Sequence, residues 1–344
     1  MLEKPNIQNS EIIACLRDEY GLNISEISFL PIGADMNTAV FRADTDDGAA
    51  YFVKLRGGLF DEMTIIVPKL LHEQRITSII APLSTRTQQL WADLDKYKVA
   101  VFPFIEGRDG YETDLLDRHW VELGLAFKAL HTAQLPTTIT NRIQQEQYSD
   151  KWRQLVRQFL VRVEEGPFVD GVAAELAAFL KSRNQEIRAL VQRAEDLAGV
   201  MQTQATPLVL CHADIHAGNV FIANDQHLYL VDWDTLTMAP KERDLMYVGG
   251  GQFVNARSAE EEERLFYQGY GQTEANPVGL AYYRYERIVQ DIAAYCEQLL
   301  LSDEGGEDRP NSLRQLTGQF GPNGVIALAY RSEQFLPERY RAKS

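Results

Sequence analysis

Between Leu208 and Asp234 a short strand-patterned island interrupts a chain that otherwise reads as helical from residue 108 onward. Leu208 to Cys211 is apolar, Asn219 to Ala223 and His227 to Val231 are strand-like, and Asn224-Asp225-Gln226 turns between them. On either side, apolar residues recur at helical spacing. Leu116, Trp120, Leu123, Phe127 and Leu130 fall on one helical face, with Thr113 and Asp114 suited to its start. Trp152, Leu155, Val156, Phe159 and Val163 repeat the pattern. So do a stretch from about Val172 to Met201 and the set Tyr285, Ile288, Ile292, Tyr295 and Leu299, on a helix placed at 281–301. Segment 302–312 reads as a loop by composition.

The first hundred residues are strand-rich instead. Ala39 to Ala43, the turn formers Asp46-Asp47-Gly48, and Ala49 to Leu55 predict a β-hairpin. Val99 to Phe102 is a short apolar run stopped by Pro103, and Val67 to Ile80 is predicted as a helix using Leu70, Leu71 and Ile76. The fold class expected is α+β: a small β-rich lobe over residues 1–104, a hinge at 103–107, and a larger helical lobe over 108–344 that holds the hairpin. A chain of 344 residues is long enough for each lobe to bury its own core.

Composition narrows the partners. The formal charge of −15 disfavours nucleic acid, whose binding rests on Lys and Arg neutralising phosphates. Acidic proteins attract cations, which fits an amine substrate and fits plain solubility equally well. Three cysteines, far apart and odd in number, argue against a disulfide framework or a CxxC metal site. The N-terminus lacks a basic segment followed by an apolar run, and no stretch is long enough to span a membrane, so a cytoplasmic location is expected.

The island carries the chemistry. His212 and Asp214 enter a turn, Asn219 follows five residues after Asp214, and the last strand ends at Asp232 and Asp234. Hairpin pairing can bring Asp214, Asn219 and Asp232 to one end of a small sheet, where carboxylates and an amide oxygen form a hard donor set suited to Mg²⁺. A bland hairpin whose acids cap strands and face water would need the same spacing of His, Asp, Asn and Asp to arise by accident.

This stretch resembles the aminoglycoside phosphotransferase and choline kinase family, relatives of the protein kinases. His212-Ala213-Asp214-Ile215-His216-Ala217-Gly218-Asn219 is similar to the family's H-G-D-x-x-x-x-N, with Ala213 where Gly is usual. Val231-Asp232-Trp233-Asp234 resembles its apolar-Asp-x-acid segment, and Asp244 matches the acidic residue that follows. The resemblance implies a bilobal, protein-kinase-like fold and an enzyme that uses ATP and Mg²⁺. It implies Asp214 as the group accepting the acceptor hydroxyl's proton, and Asn219 and Asp232 as metal ligands. His212 would brace the loop, Asp244 would tether it, and Asp234 would assist the metal site.

Tyr51-Phe52-Val53-Lys54-Leu55 resembles the family's strand lysine, which contacts the nucleotide's phosphates, although lysines are common on strands. Its acidic partner is expected at Glu73, rather than at Glu62 in a loop, yet either could be an ordinary solvated glutamate. Ile32-Gly33-Ala34-Asp35-Met36-Asn37-Thr38 resembles the family's looser nucleotide loop, with Gly33 and Asn37 near phosphate. At the hinge, Pro103 and Ile105 would meet the purine, Ile105 donating its N–H; Phe102 and Phe104 there could equally be core. His131 and Cys211 read as structural, His216 as a phosphate contact or a solvated loop residue, and Glu260 to Glu263 as a solvated helix start. His212 and His216 do not make a zinc site without further ligands.

The acceptor follows only from the resemblance. The chain is most similar to the branch phosphorylating a hydroxyl of the aminocyclitol antibiotic spectinomycin, which would make it a resistance enzyme. A cationic hydroxylated acceptor needs carboxylates and aromatic faces, for which Trp233, Tyr282 and Glu286 are candidates. A metabolic kinase for choline, methylthioribose or a similar alcohol is the alternative. A pseudokinase is disfavoured by the joint presence of Lys54, Asp214, Asn219 and Asp232. A protein kinase is disfavoured by the lack of G-x-G-x-x-G and of A-P-E after Asp232.

Overall fold

The computed structural model describes residues 4–32, 37–168, 170–250, 257–303, 305–306, 308–322 and 324–342. The chain divides into two compact units, each assembled from separated stretches. The first comprises residues up to 144, 212–237 and 251–271; the second comprises 145–211, 238–250 and 272 to the end. The predicted hinge at 103–107 thus falls inside the first unit.

The first unit is built on a five-stranded antiparallel sheet in the order Ile24–Leu30, Thr38–Thr45, Ala50–Arg56, Tyr97–Pro103, Ala92–Leu94. The predicted hairpin is present, closed by Gly48 at φ 87, a left-handed turn position that suits glycine. Alternation assigns the sheet two faces. One places Phe41, Val53, Leu55, Val99 and Val101 against Ile12 and Leu16 of the N-terminal helical segment Asn9–Tyr20. Each such buried apolar side chain contributes roughly 1.5–3 kcal/mol. The opposite face carries Val40, Arg42, Phe52, Lys54, Arg56, Ala100 and Phe102, with Lys54 directly between Val40 and Ala100. Phe102 and Phe104 are only half-buried, and Phe104 lies under the Arg42 guanidinium at 4.5 Å.

The helix expected from Val67 to Ile80 runs instead from Met63 to Glu73. The Asp61 carboxylate accepts the Met63 N–H and starts it early; Arg75, at φ 66, ends it. A three-stranded sheet joins Gly107–Asp109 to Val220–Ala223 and Leu228–Leu230. The strand Val209–Cys211 belongs to a different, two-stranded sheet with Thr237–Ala239, so it does not extend the hairpin as its apolar pattern suggested.

Helix Asp117–Thr132 starts later than Thr113, because the Asp109 side chain holds Tyr111 and Glu112 in a turn. Leu116 consequently lies outside the helix and is exposed. This helix packs on Ala259–Tyr270 through two glycines. A Cβ on Gly124 would stand 2.0 Å from the Phe266 carbonyl oxygen, and one on Gly269 would stand 1.9 Å from that of Val121. Glu262, expected in water, is fully buried.

The second unit is helical. Lys151–Glu165, Gly171–Ser182, Asn184–Gln202 and Pro277–Leu300 enclose one large apolar core with Asp308–Gly318 and Val325–Ser332. The stretch from Val172 to Met201 is two helices parted at Arg183. The supposed loop at 302–312 gives way to a helix from Asp308, where the buried Arg309 guanidinium donates to the Leu299 carbonyl. A single sequence window shows neither the break nor that anchor.

Candidate active site

The residues singled out between His212 and Asp234 are held by a few specific bonds. Asn219 closes a 3₁₀ turn, Ala217–Asn219, immediately before the strand Val220–Ala223. Its side-chain N–H donates to the Asp214 carbonyl at 2.7 Å, and its own carbonyl accepts the Val231 N–H at 3.1 Å. Asp214, Asn219 and Asp232 therefore sit on adjoining backbone. With Nδ2 committed to Asp214, the Asn219 Oδ1 is the atom left for a cation.

His212 is fully buried, and its Nε2 donates to the Val231 carbonyl at 2.9 Å. A carbonyl only accepts, so this nitrogen carries the proton. Its backbone carbonyl receives the Thr235 hydroxyl at 3.0 Å, and its ring lies 4.6 Å from that of Trp233. The imidazole links the segment before Asp214 to both sides of Asp232.

Both loops use left-handed backbone: Ala213 has φ 69 and Asp232 has φ 62. Asp tolerates this region; Ala is strained there by its Cβ, which gives a physical reason for Gly being usual at that position. His216 accepts the Gly218 N–H on Nδ1 at 3.1 Å and stacks on Tyr111. Its Nε2 lies 4.0 Å from the Asp214 carboxylate.

Lys54 reaches this cluster from the sheet. Its Nζ is 3.2 Å from Asp232 Oδ1 and 2.9 Å from both oxygens of Asp234. Burial pulls the Lys54 pKa down, but the Asp232 and Asp234 charges more than offset this and leave it raised. Lys54 is thus fully protonated at neutral pH. Asp232 is the open carboxylate, 53% exposed against 23% for Asp234. An ion pair that exposed contributes at most about 1 kcal/mol, so it can be exchanged for a ligand at little cost.

Glu73, expected as the acidic partner, pairs with Lys69 one turn back, at 3.4 Å, while the acids in contact with Lys54 are Asp232 and Asp234. Glu62 pairs with Arg142. Gly33 lies outside the described residues. The Asn37 carbonyl accepts the Gly57 N–H at 2.7 Å, and Pro103 ends its strand opposite Tyr51, with Ile105 half-buried beyond. Asp244 is buried in the short helix Glu242–Leu245 of the second unit.

Of the acceptor candidates, Trp233 is buried, its Nε1 donating to the Leu230 carbonyl at 3.1 Å. Tyr282 is buried in the helical core, and the buried Glu286 is ion-paired with Arg153. None of the three presents open surface, which lends the acceptor role no support. The sequence alone carries no signal for Arg56 or Phe52, and leaves Phe102 between the hinge and the core. Counting by two from Lys54 places Phe52 and Arg56 on its face of the sheet, and register adds Phe102.

The model of the "Phosphotransferase enzyme family" matches residues 28–285, a span that includes Lys54, the 212–219 loop and Asp232. The chain belongs to the phosphotransferase enzyme family. No curated protein matches it. A solved spectinomycin phosphotransferase, in complex with ADP and spectinomycin, shares 36% identity with this phosphotransferase. It aligns over 96% of this chain and 100% of its own, with a TM-score of 0.89. An amicoumacin kinase in complex with AMP-PNP and Ca²⁺ aligns over 96% of this chain and 98% of its own, at 14% identity and a TM-score of 0.62. The choline kinase of Streptococcus pneumoniae aligns over 94% and 97%, at 15% identity and a TM-score of 0.55. The last two likenesses concern the fold alone, and that fold is protein-kinase-like. Among the described residues, no helix of this phosphotransferase is long and apolar enough to cross a membrane.

Proposed function

We propose that this phosphotransferase moves the γ-phosphoryl group of ATP, with Mg²⁺, to a hydroxyl of an aminocyclitol antibiotic such as spectinomycin, and so confers resistance. The observation carrying the reading is the convergence of Lys54, Asp214, Asn219 and Asp232 within one compact unit, though Lys54 and Asp234 are 180 residues apart in sequence. Likeness to an enzyme solved with ADP and spectinomycin supports the acceptor class.

The roles follow from the chemistry of the side chains. Asp214 orients the acceptor hydroxyl and takes its proton, a contribution of roughly 10²–10⁴ in rate for a well-placed base. The Asn219 Oδ1 and the exposed Asp232 carboxylate are the hard oxygen donors fitted to Mg²⁺, and Asp234 stands beside them. The cation would neutralise charge on the transferring phosphates. Lys54 exchanges its weak contact to Asp232 for the α- and β-phosphates. The half-buried Phe52 and Phe102, 6.5 Å apart on the lysine's face of the sheet, offer the flat apolar surface a purine needs, with the Ile105 N–H as donor. Gly33 and Asn37 would serve the phosphates, and a cytoplasmic setting follows from the use of ATP.

The test is an acceptor panel of spectinomycin, aminoglycosides, choline, ethanolamine and methylthioribose with ATP and Mg²⁺, read by a gain in mass of about 80 Da, one phosphoryl group. Turnover of spectinomycin is expected. Turnover of choline or methylthioribose with spectinomycin inert would replace the antibiotic reading with a metabolic one.

A further inference from the structure

Arg56 stands two residues beyond Lys54 on the same face of the sheet, with its side chain about three-quarters buried. Its Nη1 donates to Asp234 Oδ2 and, at 3.0 Å, lies within reach of the Thr38 hydroxyl oxygen. Asp234 is therefore shared by two cations: Lys54 contacts both of its oxygens at 2.9 Å, and Arg56 contacts one of them. This creates a problem for a lysine that has to serve phosphate. A carboxylate held at 2.9 Å in a partly buried setting competes strongly with any other anion for the same ammonium. Lys54 can leave Asp232, which is open to water, far more easily than it can leave Asp234.

We propose that Arg56 is a positioning residue that holds and neutralises Asp234, so that Lys54 is released to the phosphates of a bound nucleotide. The inference rests on the reading of Lys54 as the phosphate-contacting lysine. With Arg56 in place, a departing ammonium leaves Asp234 in contact with a guanidinium that is itself fixed by Thr38. Without Arg56, that departure strands a half-buried carboxylate with no cation at contact distance, and Lys54 stays where it is. Arg56 acts through Asp234 and needs no contact with the nucleotide.

The test is a double-mutant cycle on nucleotide affinity, measured by calorimetry with AMP-PNP in EDTA, so that any part Asp234 plays toward a metal drops out. Arg56→Gln is expected to weaken AMP-PNP binding about tenfold, the scale of a hydrogen bond to a charged group. Asp234→Asn removes the competitor and is expected to tighten binding several-fold, about the worth of one exposed charge pair. The double variant is expected to bind as Asp234→Asn does, within about twofold. Arg56→Lys keeps the charge without the fork and should fall between wild type and Arg56→Gln.

A full loss of about tenfold from Arg56→Gln, persisting when Asp234→Asn is already present, would mean that Arg56 touches phosphate itself, and it would overturn the proposal. Unchanged affinity in Arg56→Gln, with only a lower melting temperature, would overturn it as well. Lys54→Ala separates the two levels. If it fails to weaken AMP-PNP binding, the reading of Lys54 falls; if it weakens binding while Arg56→Gln does not, the role of Arg56 falls alone.

Discussion

Lys54 in the first unit and Arg153 in the second are both basic side chains paired with acids far away in sequence, yet their settings differ. Lys54 faces two carboxylates of which one is half in water, and it sits beside two loops bent through left-handed backbone. Arg153 and Glu286 are both buried, inside a core of closely packed helices. An exposed pair such as Lys54 with Asp232 contributes little to stability and is readily exchanged; a fully buried pair is hard to break because the surviving charge has nowhere to go. The difference fits the proposed reading, in which the first region meets a ligand, while the second keeps the helical unit folded.

The sharpest break between the two is expected from Asp214→Ala. It should lower turnover with Mg-ATP by about 10³-fold while nucleotide affinity stays within about threefold. Near-normal turnover would remove Asp214 from the proposed chemistry and the first region from its role. Arg153→Met should do the opposite, costing about 3–5 kcal/mol of stability in urea unfolding because Glu286 is left buried and unpaired. Replacing both, with Glu286→Leu added, should recover most of that loss. A loss under about 1 kcal/mol for Arg153→Met would show that the pair is solvated after all.

A backbone effect comes next in size. Gly124→Ala places a Cβ against the Phe266 carbonyl and should cost about 2–3 kcal/mol by forcing two helices apart. No measurable change in melting temperature would contradict that contact. Ala213→Gly should work the other way, relieving left-handed strain while adding chain entropy to the unfolded state. The expected outcome is a gain of no more than about 1 kcal/mol.

The smallest effect concerns pH. Burial pushes the Glu286 pKa up, and Arg153 only partly counters it. The folded state therefore binds this proton more tightly than the unfolded chain does, so acidification through the raised pKa favours folding at this residue. The stability difference between wild type and Glu286→Gln should accordingly narrow between neutral pH and pH ~5, just above the ordinary carboxylate range. A difference that widens on acidification would reverse the sign assigned here.

The legibility of the two regions differs for the same reason. The loop from His212 to Asn219 and the segment around Asp232 declare themselves because short spacing and a hairpin fix their geometry locally. The hairpin at Thr38–Arg56 and the helical faces around Phe127 and Phe159 are legible through periodicity. Partners chosen by tertiary packing are not. Lys54 takes Asp234 rather than Glu73, and Glu286, which reads as a ligand for an amine, is claimed by a guanidinium 133 residues upstream. Helix starts move with side chains outside the pattern, as Asp61 and Asp109 show. Arg56 was hidden because a second basic residue on a strand carries no signal until the sheet's two faces are distinguished.

The division of the first unit among three stretches of chain also sets a timetable for biosynthesis. Its opening 144 residues leave the ribosome well before His212 to Thr237 are made, and the last contributing helix, Ala259–Tyr270, comes later still. Until residues 212–237 are made the sheet has its lysine but neither of the aspartates that hold it, so no fragment ending before them can form this arrangement by itself. The first unit cannot be completed before the stretch through Gly271 has been made.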